Sequence, residues 1–238
     1  EKSYELRKKS LHQKVFSDLR KELNIPRLER IECYDISNIQ GQDAYGSMVV
    51  NENGEIENSE YRIFKIKGSN TPNDPAMLKE VLQRRFSNEK MMKYPDVVLV
   101  DGGKTQLSVV ATTIPKGICL LGISKGKRLK KKGFRPKDEF WIYRDSNIER
   151  MYIHNEKLLI NLRDEAHRFA ITYHKKARIK RGLRSKLLKV EGIGDDRARK
   201  LILRFKNIEG IQKSNVEEIN KVIKNRKVSE AVIKFLNT

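Results

Sequence analysis

Apolar residues recur among charges over residues 1 to 23 (Leu6, Leu19, Leu23), which predicts an N-terminal helix. Asn24-Ile25-Pro26 ends it, because the residue before a proline disfavours helical geometry. Three strand-length runs follow, at 30–36, 44–50 and 56–66. In the last, Tyr61 and Ile63 alternate with Arg62 and Phe64, as on a pleated surface. Asn53-Gly54 separates the second and third runs as a two-residue hairpin turn would. The three strands therefore predict an antiparallel meander.

Residues 68–75 (GSNTPNDP) have loop composition, and Pro75 opens an amphipathic helix over 76–86. Val97 to Val100 is a continuous apolar run, as in a strand covered on both faces. A helix over 106–112 and a buried strand over 117–123 complete a strand–helix–strand unit, which predicts a parallel crossover. FWIY (140–143) reads as a strand, with Met151 to His154 as its partner. Leu158, Leu162, Ala166, Phe169 and Tyr173 form an apolar stripe on a long helix from about 155 to 180. Beyond residue 182 the texture changes to short helices at 197–205, 215–223 and 228–237. Three regions are expected: an N-terminal helix over 1–25, an α/β domain over 26–180 and a small all-α domain over 181–238.

Charge sharpens this picture. Fifty-one Lys and Arg against 31 Asp and Glu give a formal charge of +20, the footprint of a protein that meets phosphate backbones. A thermophilic surface would explain the amount of charge but not its sign. Residues 124–137 hold eight basic side chains and no acid; they read as an exposed loop or ribbon rather than packed structure. Cys33 and Cys119 are isolated in apolar runs, so reduced thiols are expected, and neither fits a C-x-x-C zinc pattern. No apolar run reaches the length of a membrane span and no leader pattern is present, so a cytoplasmic location without a membrane partner is expected. The first residue is Glu rather than Met, as in a piece of a longer chain.

Asp35 and Asp101 each close an apolar run. Neighbouring strands would put both carboxylates at one end of a sheet, where hard oxygen donors bind Mg²⁺ or Mn²⁺ and support phosphodiester hydrolysis. The plain alternatives are a strand-ending turn for Asp35 and a helix cap for Asp101. DGGKT (101–105) is not a nucleotide-binding loop, since the pattern needs glycine where Val98 stands. His167 borders the stripe of the long helix, with Arg163 and His174 on the same flank. It is a candidate metal ligand or proton carrier, or else an ordinary boundary residue. Asp164 and Glu165 compete for a carboxylate role. Asp74 is a further candidate, with an N-cap as its alternative.

ECYDISNIQG, NDPAMLKEVLQRR, PDVVLVDGGKTQLS and LRDEAHRFAITYHKK, in this order, resemble the C-terminal half of the UvrC family of bacterial excision-repair endonucleases. The resemblance covers nearly the whole chain. It implies an RNase H-like mixed sheet with flanking helices, followed by a tandem helix-hairpin-helix domain. It also implies metal-dependent incision of damaged double-stranded DNA on the 5′ side of a lesion, once UvrB has engaged the damage. By the same resemblance Asp35, Asp101 and His167 would hold Mg²⁺ or Mn²⁺, and Asp74 matches an acidic position important for incision. The family's 3′-cutting domain and its UvrB-binding hairpin have no counterpart here, so contact with UvrB is expected mainly through a segment outside this chain.

Lys104 or Arg168 is expected to steady the scissile phosphate, and both, with Arg163, are expected nucleic-acid contacts. Many relatives have His after DIS; here Asn38 stands there and is assigned no metal role. Val190-Glu191-Gly192-Ile193-Gly194 makes a good first hairpin, whose glycines would expose N–H groups to phosphate at a helix N-terminus, or else a plain helix-linking turn. The second, IKNRKV at 223–228, lacks both glycines: either Asn225 serves in the turn or the hairpin binds weakly through Lys and Arg. A rival reading of the whole chain is a DNA-binding scaffold that does not cut.

Overall fold

The computed structural model describes residues 2–37, 44–67, 74–126 and 137–237. They form two compact units, residues 1–171 and 172–238.

The first unit is built on a mixed eight-stranded sheet. Its strands are β1 (Arg30–Ser37), β2 (Tyr45–Glu52), β3 (Glu55–Ile56), β4 (Arg62–Lys65), β5 (Val97–Asp101), β6 (Cys119–Lys125), β7 (Asp138–Arg144) and β8 (Asn147–Met151). The spatial order is β3-β2-β1-β5-β6-β7-β8, with β4 also paired to β2. β1 and β2 are antiparallel, as the expected meander requires. β1–β5 and β5–β6 are parallel, the second pair joined by the expected crossover helix.

The helices follow from strand parity. On β1 and β5, Ile31, Cys33, Val97 and Leu99 face a core shared with α1 (Lys2–Glu22) and the first part of α4 (Glu156–Leu187). Tyr34, Val98 and Val100 face the opposite core, under α2 (Asp74–Phe86) and α3 (Lys104–Val110). Helices on both faces explain why the central strands are continuous apolar runs rather than alternating ones. This α/β architecture, a mixed sheet with flanking helices, is the fold class the sequence predicted.

Four elements depart from expectation. The run 56–66 is broken into β3, a 3-10 turn at Asn58–Glu60 and β4, because Arg62 at the start of β4 pairs with Met48 rather than continuing from β3. The partner of β7 is Asn147–Met151, not 151–154. Asp145 and Ser146 both take positive φ (49° and 64°) and close that hairpin, a turn that Asp-Ser signals less clearly than the Asn53-Gly54 turn (50° and 91°). Helix α4 runs on to Leu187. A short helix, α6 (Ile208–Gln212), lies in a stretch read as a connection.

The second unit packs α5 (Asp195–Phe205), α6, α7 (Val216–Ile223) and α8 (Arg226–Asn237) around Leu187, Ile193, Leu201, Ile219 and Val232. Gly192 takes φ +85°, and a Cβ there would stand 2.6 Å from Val228 Cγ2, so only glycine suits this turn. At the second hairpin Lys224 takes the left-handed conformation (φ 51°), and Asn225 Oδ1 accepts from Val228 N at 3.0 Å. Asn225 thus caps α8, the place that Gly194 holds before α5.

Candidate active site

Parity and register bring the two aspartates together. Tyr34 on β1 pairs with Val100 on the parallel strand β5, and Asp35 and Asp101 follow as the next residues. Both continue the Ile31–Cys33 and Val97–Leu99 side of the sheet, so both carboxylates face the α4 side at one sheet end. Asp101 is not a helix cap: it ends β5, and Gly103 is the N-cap of α3, its N–H donating to Gln106 Oε1 at 3.0 Å.

Helix α4 brings His167 to the pair. Ser47 Oγ donates to Ala166 O at 3.1 Å, and Tyr61 OH donates to Glu165 Oε1 at 3.0 Å. These contacts fix the helix on β2 and on Tyr61, the residue before β4, and Tyr61 packs edge-on against Phe169 with ring centroids 5.0 Å apart. His167 Nδ1 lies 3.4 Å from Asp35 Oδ2. The Asp35 side chain is 7% exposed and that of His167 60%, so the imidazole stands between a buried carboxylate and solvent. A group that bridges in this way can touch an incoming substrate while held from behind.

The electrostatics are those of a crowded anionic site. Asp101 is the exposed last residue of β5, yet desolvation at the sheet end, then the charge of Asp35, push its pKa above the ordinary range, while Arg163, His167 and Lys125 offset part of the rise. A cation shared by the two carboxylates would relieve their repulsion. Their hard oxygens suit Mg²⁺ or Mn²⁺. Among the described residues, no group of three or more His, Cys, Asp and Glu converges as a metal cage.

Other expected site residues are distributed differently. Arg163 is buried, its guanidinium donating to Asp138 Oδ1 and Asp164 Oδ1, both at 2.7 Å. It stiffens the join between α4 and β7 rather than reaching outward. Arg168 is exposed and paired with Glu165 at 2.6 Å. Those two acidic rivals, Asp164 and Glu165, are thus engaged by arginines. Lys104 begins α3, on the sheet face opposite the carboxylates, with its Nζ 4.8 Å from the Trp141 ring centroid. Asp74 is the exposed first residue of α2. Among the described residues no hydrogen bond or ion pair brings it to the aspartate pair. Asn38 and most of the basic run at 124–137 lie outside the described residues. Lys125 was not singled out from the sequence, which ended this strand at 123 and left Lys125 in the basic loop, whereas β6 runs on to Lys125.

In the second unit, Gly194 is the N-cap of α5 and Arg197 Nη1 donates to Gly192 O at 2.6 Å. No helix among the described residues is long and apolar enough to cross a membrane.

The family model described as the UvrC RNase H endonuclease domain matches residues 20–171. Curated relatives named UvrABC system protein C include one from Fusobacterium nucleatum, 40% identical over 219 residues, and one from Clostridium perfringens, 38% identical over 234 residues. The alignments cover 91% and 89% of this chain but 36% of each relative, so the chain spans about a third of their length. Among solved structures, human endonuclease V aligns at 22% identity with a TM-score of 0.29, over 53% of this chain and 62% of that one. At that TM-score the superposition adds nothing to the family match.

Proposed function

We propose that this chain, which belongs to the UvrC RNase H endonuclease domain family, is a divalent-metal-dependent DNA endonuclease that makes the 5′ incision of nucleotide excision repair on UvrB-marked damaged duplex. The observation that carries this reading is the placement of Asp35 and Asp101 as next neighbours on parallel strands, with His167 3.4 Å from Asp35.

Asp35 and Asp101 would hold Mg²⁺ or Mn²⁺. Bound there, the ion supplies Lewis-acid stabilisation of phosphoryl charge and an acidified water. His167, held by Asp35 and open to solvent, would carry a proton to or from the reacting oxygens. Asp74 is retained as a candidate accessory carboxylate on the strength of its motif. The net charge of +20 would draw the duplex in without reading sequence, because phosphate contacts carry no base information. Residues 181–238 would form the tandem helix-hairpin-helix region, with Gly192 and Gly194 offering N–H groups to a phosphate. Lesion choice would then rest with the partner that marks the damage.

The test is cutting of duplex DNA in Mg²⁺ or Mn²⁺ by wild type and Asp35→Asn, with binding measured in parallel. Cutting should disappear in the variant while affinity stays equal or rises slightly, since a negative charge is lost. Metal-dependent cutting that survives the substitution would remove Asp35 from the site, and a wild type that binds DNA without metal-dependent cutting would move the reading to a DNA-binding scaffold.

A further inference from the structure

Two lysines stand at the carboxylate end of the sheet, and strand parity separates them. On β6, Leu121 and Ile123 belong to the core beneath α1 and α4, whereas Leu120 belongs to the core beneath α2 and α3. Lys125, two residues beyond Ile123, continues on the first face, the face of Asp35 and Asp101. Asp101 is in register with Ile123, so Lys125 lies one side-chain repeat farther along the adjacent strand, about 7 Å on. Its register partner on β7 is Asp138, which is engaged by Arg163 from α4 on that same face. Lys125 is exposed.

Ser124, between Ile123 and Lys125, belongs to the other face. Its Oγ accepts from Trp141 Nε1 at 3.1 Å, which fixes the indole. The Lys104 ammonium sits over that ring at 4.8 Å. Lys104 is therefore held across the rim of the sheet from the carboxylates, although it is only three residues from Asp101 in sequence.

We propose that Lys125 binds the phosphate being cut, and that Lys104, positioned by Trp141, grips a different phosphate on the other side of the rim. The assignment rests on the endonuclease reading and deepens it. A duplex strand that crosses the end of the sheet would meet the carboxylates and Lys125 on one face and Lys104 on the other.

The experiment is a double-mutant cycle between protein and DNA. The cut is first mapped with wild type. Binding is then measured, with Ca²⁺ in place of Mg²⁺, to normal duplex and to duplex with one neutral methylphosphonate at the mapped position. Lys125→Ala and the methylphosphonate should each weaken binding about tenfold, as expected for loss of a charge-assisted contact. Combined, they should weaken it no more than either alone. Lys104→Ala should multiply with the methylphosphonate, because it acts at another phosphate. Lys125→Arg should keep the coupling, which separates loss of the contact from damage to the fold. Independent effects of Lys125→Ala and the methylphosphonate would overturn the assignment. If that occurs while Asp35→Asn still abolishes cutting, the endonuclease reading stands without Lys125. If wild type cuts in neither ion, both fall.

Discussion

His167 Nδ1 lies 3.4 Å from Asp35 Oδ2, a contact between a helix and a strand 132 residues apart in the chain. The helix carrying the imidazole is fixed by Ser47 and Tyr61, so the pair is positioned by the sheet rather than by a loop. A proton carrier held this way contributes about 100- to 10,000-fold to rate. His167→Ala should lower the single-turnover cutting rate by about that factor, with DNA affinity changed less than threefold. Unchanged cutting would remove His167 from the chemistry.

At the opposite end of β1, Glu32 is fully buried. Its Oε1 accepts from Arg30 Nη2 at 2.9 Å and Arg85 Nη2 at 2.8 Å, and its Oε2 from Tyr34 OH at 2.6 Å. Arg30 also pairs with Glu52 and Glu60. Removing one partner of a buried pair costs about 3–5 kcal/mol, because the remaining charge is left without compensation. Arg85→Met should destabilise the first unit by that amount in urea denaturation, without altering the residues of the candidate site.

Asp96 ties the start of β1 to β5. Burial pushes its pKa up, but N–H groups of Glu29 and Arg30 (2.8 and 3.0 Å) and the Arg27 guanidinium pull it below the ordinary range. A depressed folded pKa contributes stability that is present above the unfolded value of about 3.9 and is lost as pH falls through the folded value. Asp96→Asn should flatten the acid limb of stability measured by urea unfolding below about pH 5. Asp96→Ala should cost about 1–3 kcal/mol at neutral pH, since it leaves two backbone donors without their acceptor.

In the second unit, Gly192→Ala meets two obstacles: the positive φ of 85° and Val228 Cγ2 at 2.6 Å from the new methyl. The expected cost is about 1–3 kcal/mol. Adding Val228→Ala should recover part of it, because the clash is relieved and the backbone strain is not. Full recovery in thermal unfolding would mean that the turn accepts an L side chain.

The sequence made the site readable where chemistry coincides with strand ends. Asp35 and Asp101 stand out because a carboxylate after a buried apolar run is unusual, and parallel pairing of β1 with β5 was all that was needed to join them. His167 was readable as one flank of a helical stripe. The burial of Arg163 was not readable, because its acceptor Asp138 lies 25 residues away in the chain. Lys125 was hidden inside a basic run, where eight like charges look equivalent until strand parity distinguishes them. The β7–β8 turn was missed for a local reason, since Asp-Ser is an uncommon choice where both residues need positive φ.

The most direct measurement is incision mapping on lesion-bearing duplex loaded with UvrB in Mg²⁺, using a full-length UvrABC system protein C relative in which this chain replaces the matching third, with Asp101 intact or changed to Asn. The account predicts that the 5′ cut is lost and the 3′ cut remains. Retention of both cuts would contradict the assignment of Asp101 as a metal-binding residue and, with it, the placement of the cutting site at this end of the sheet.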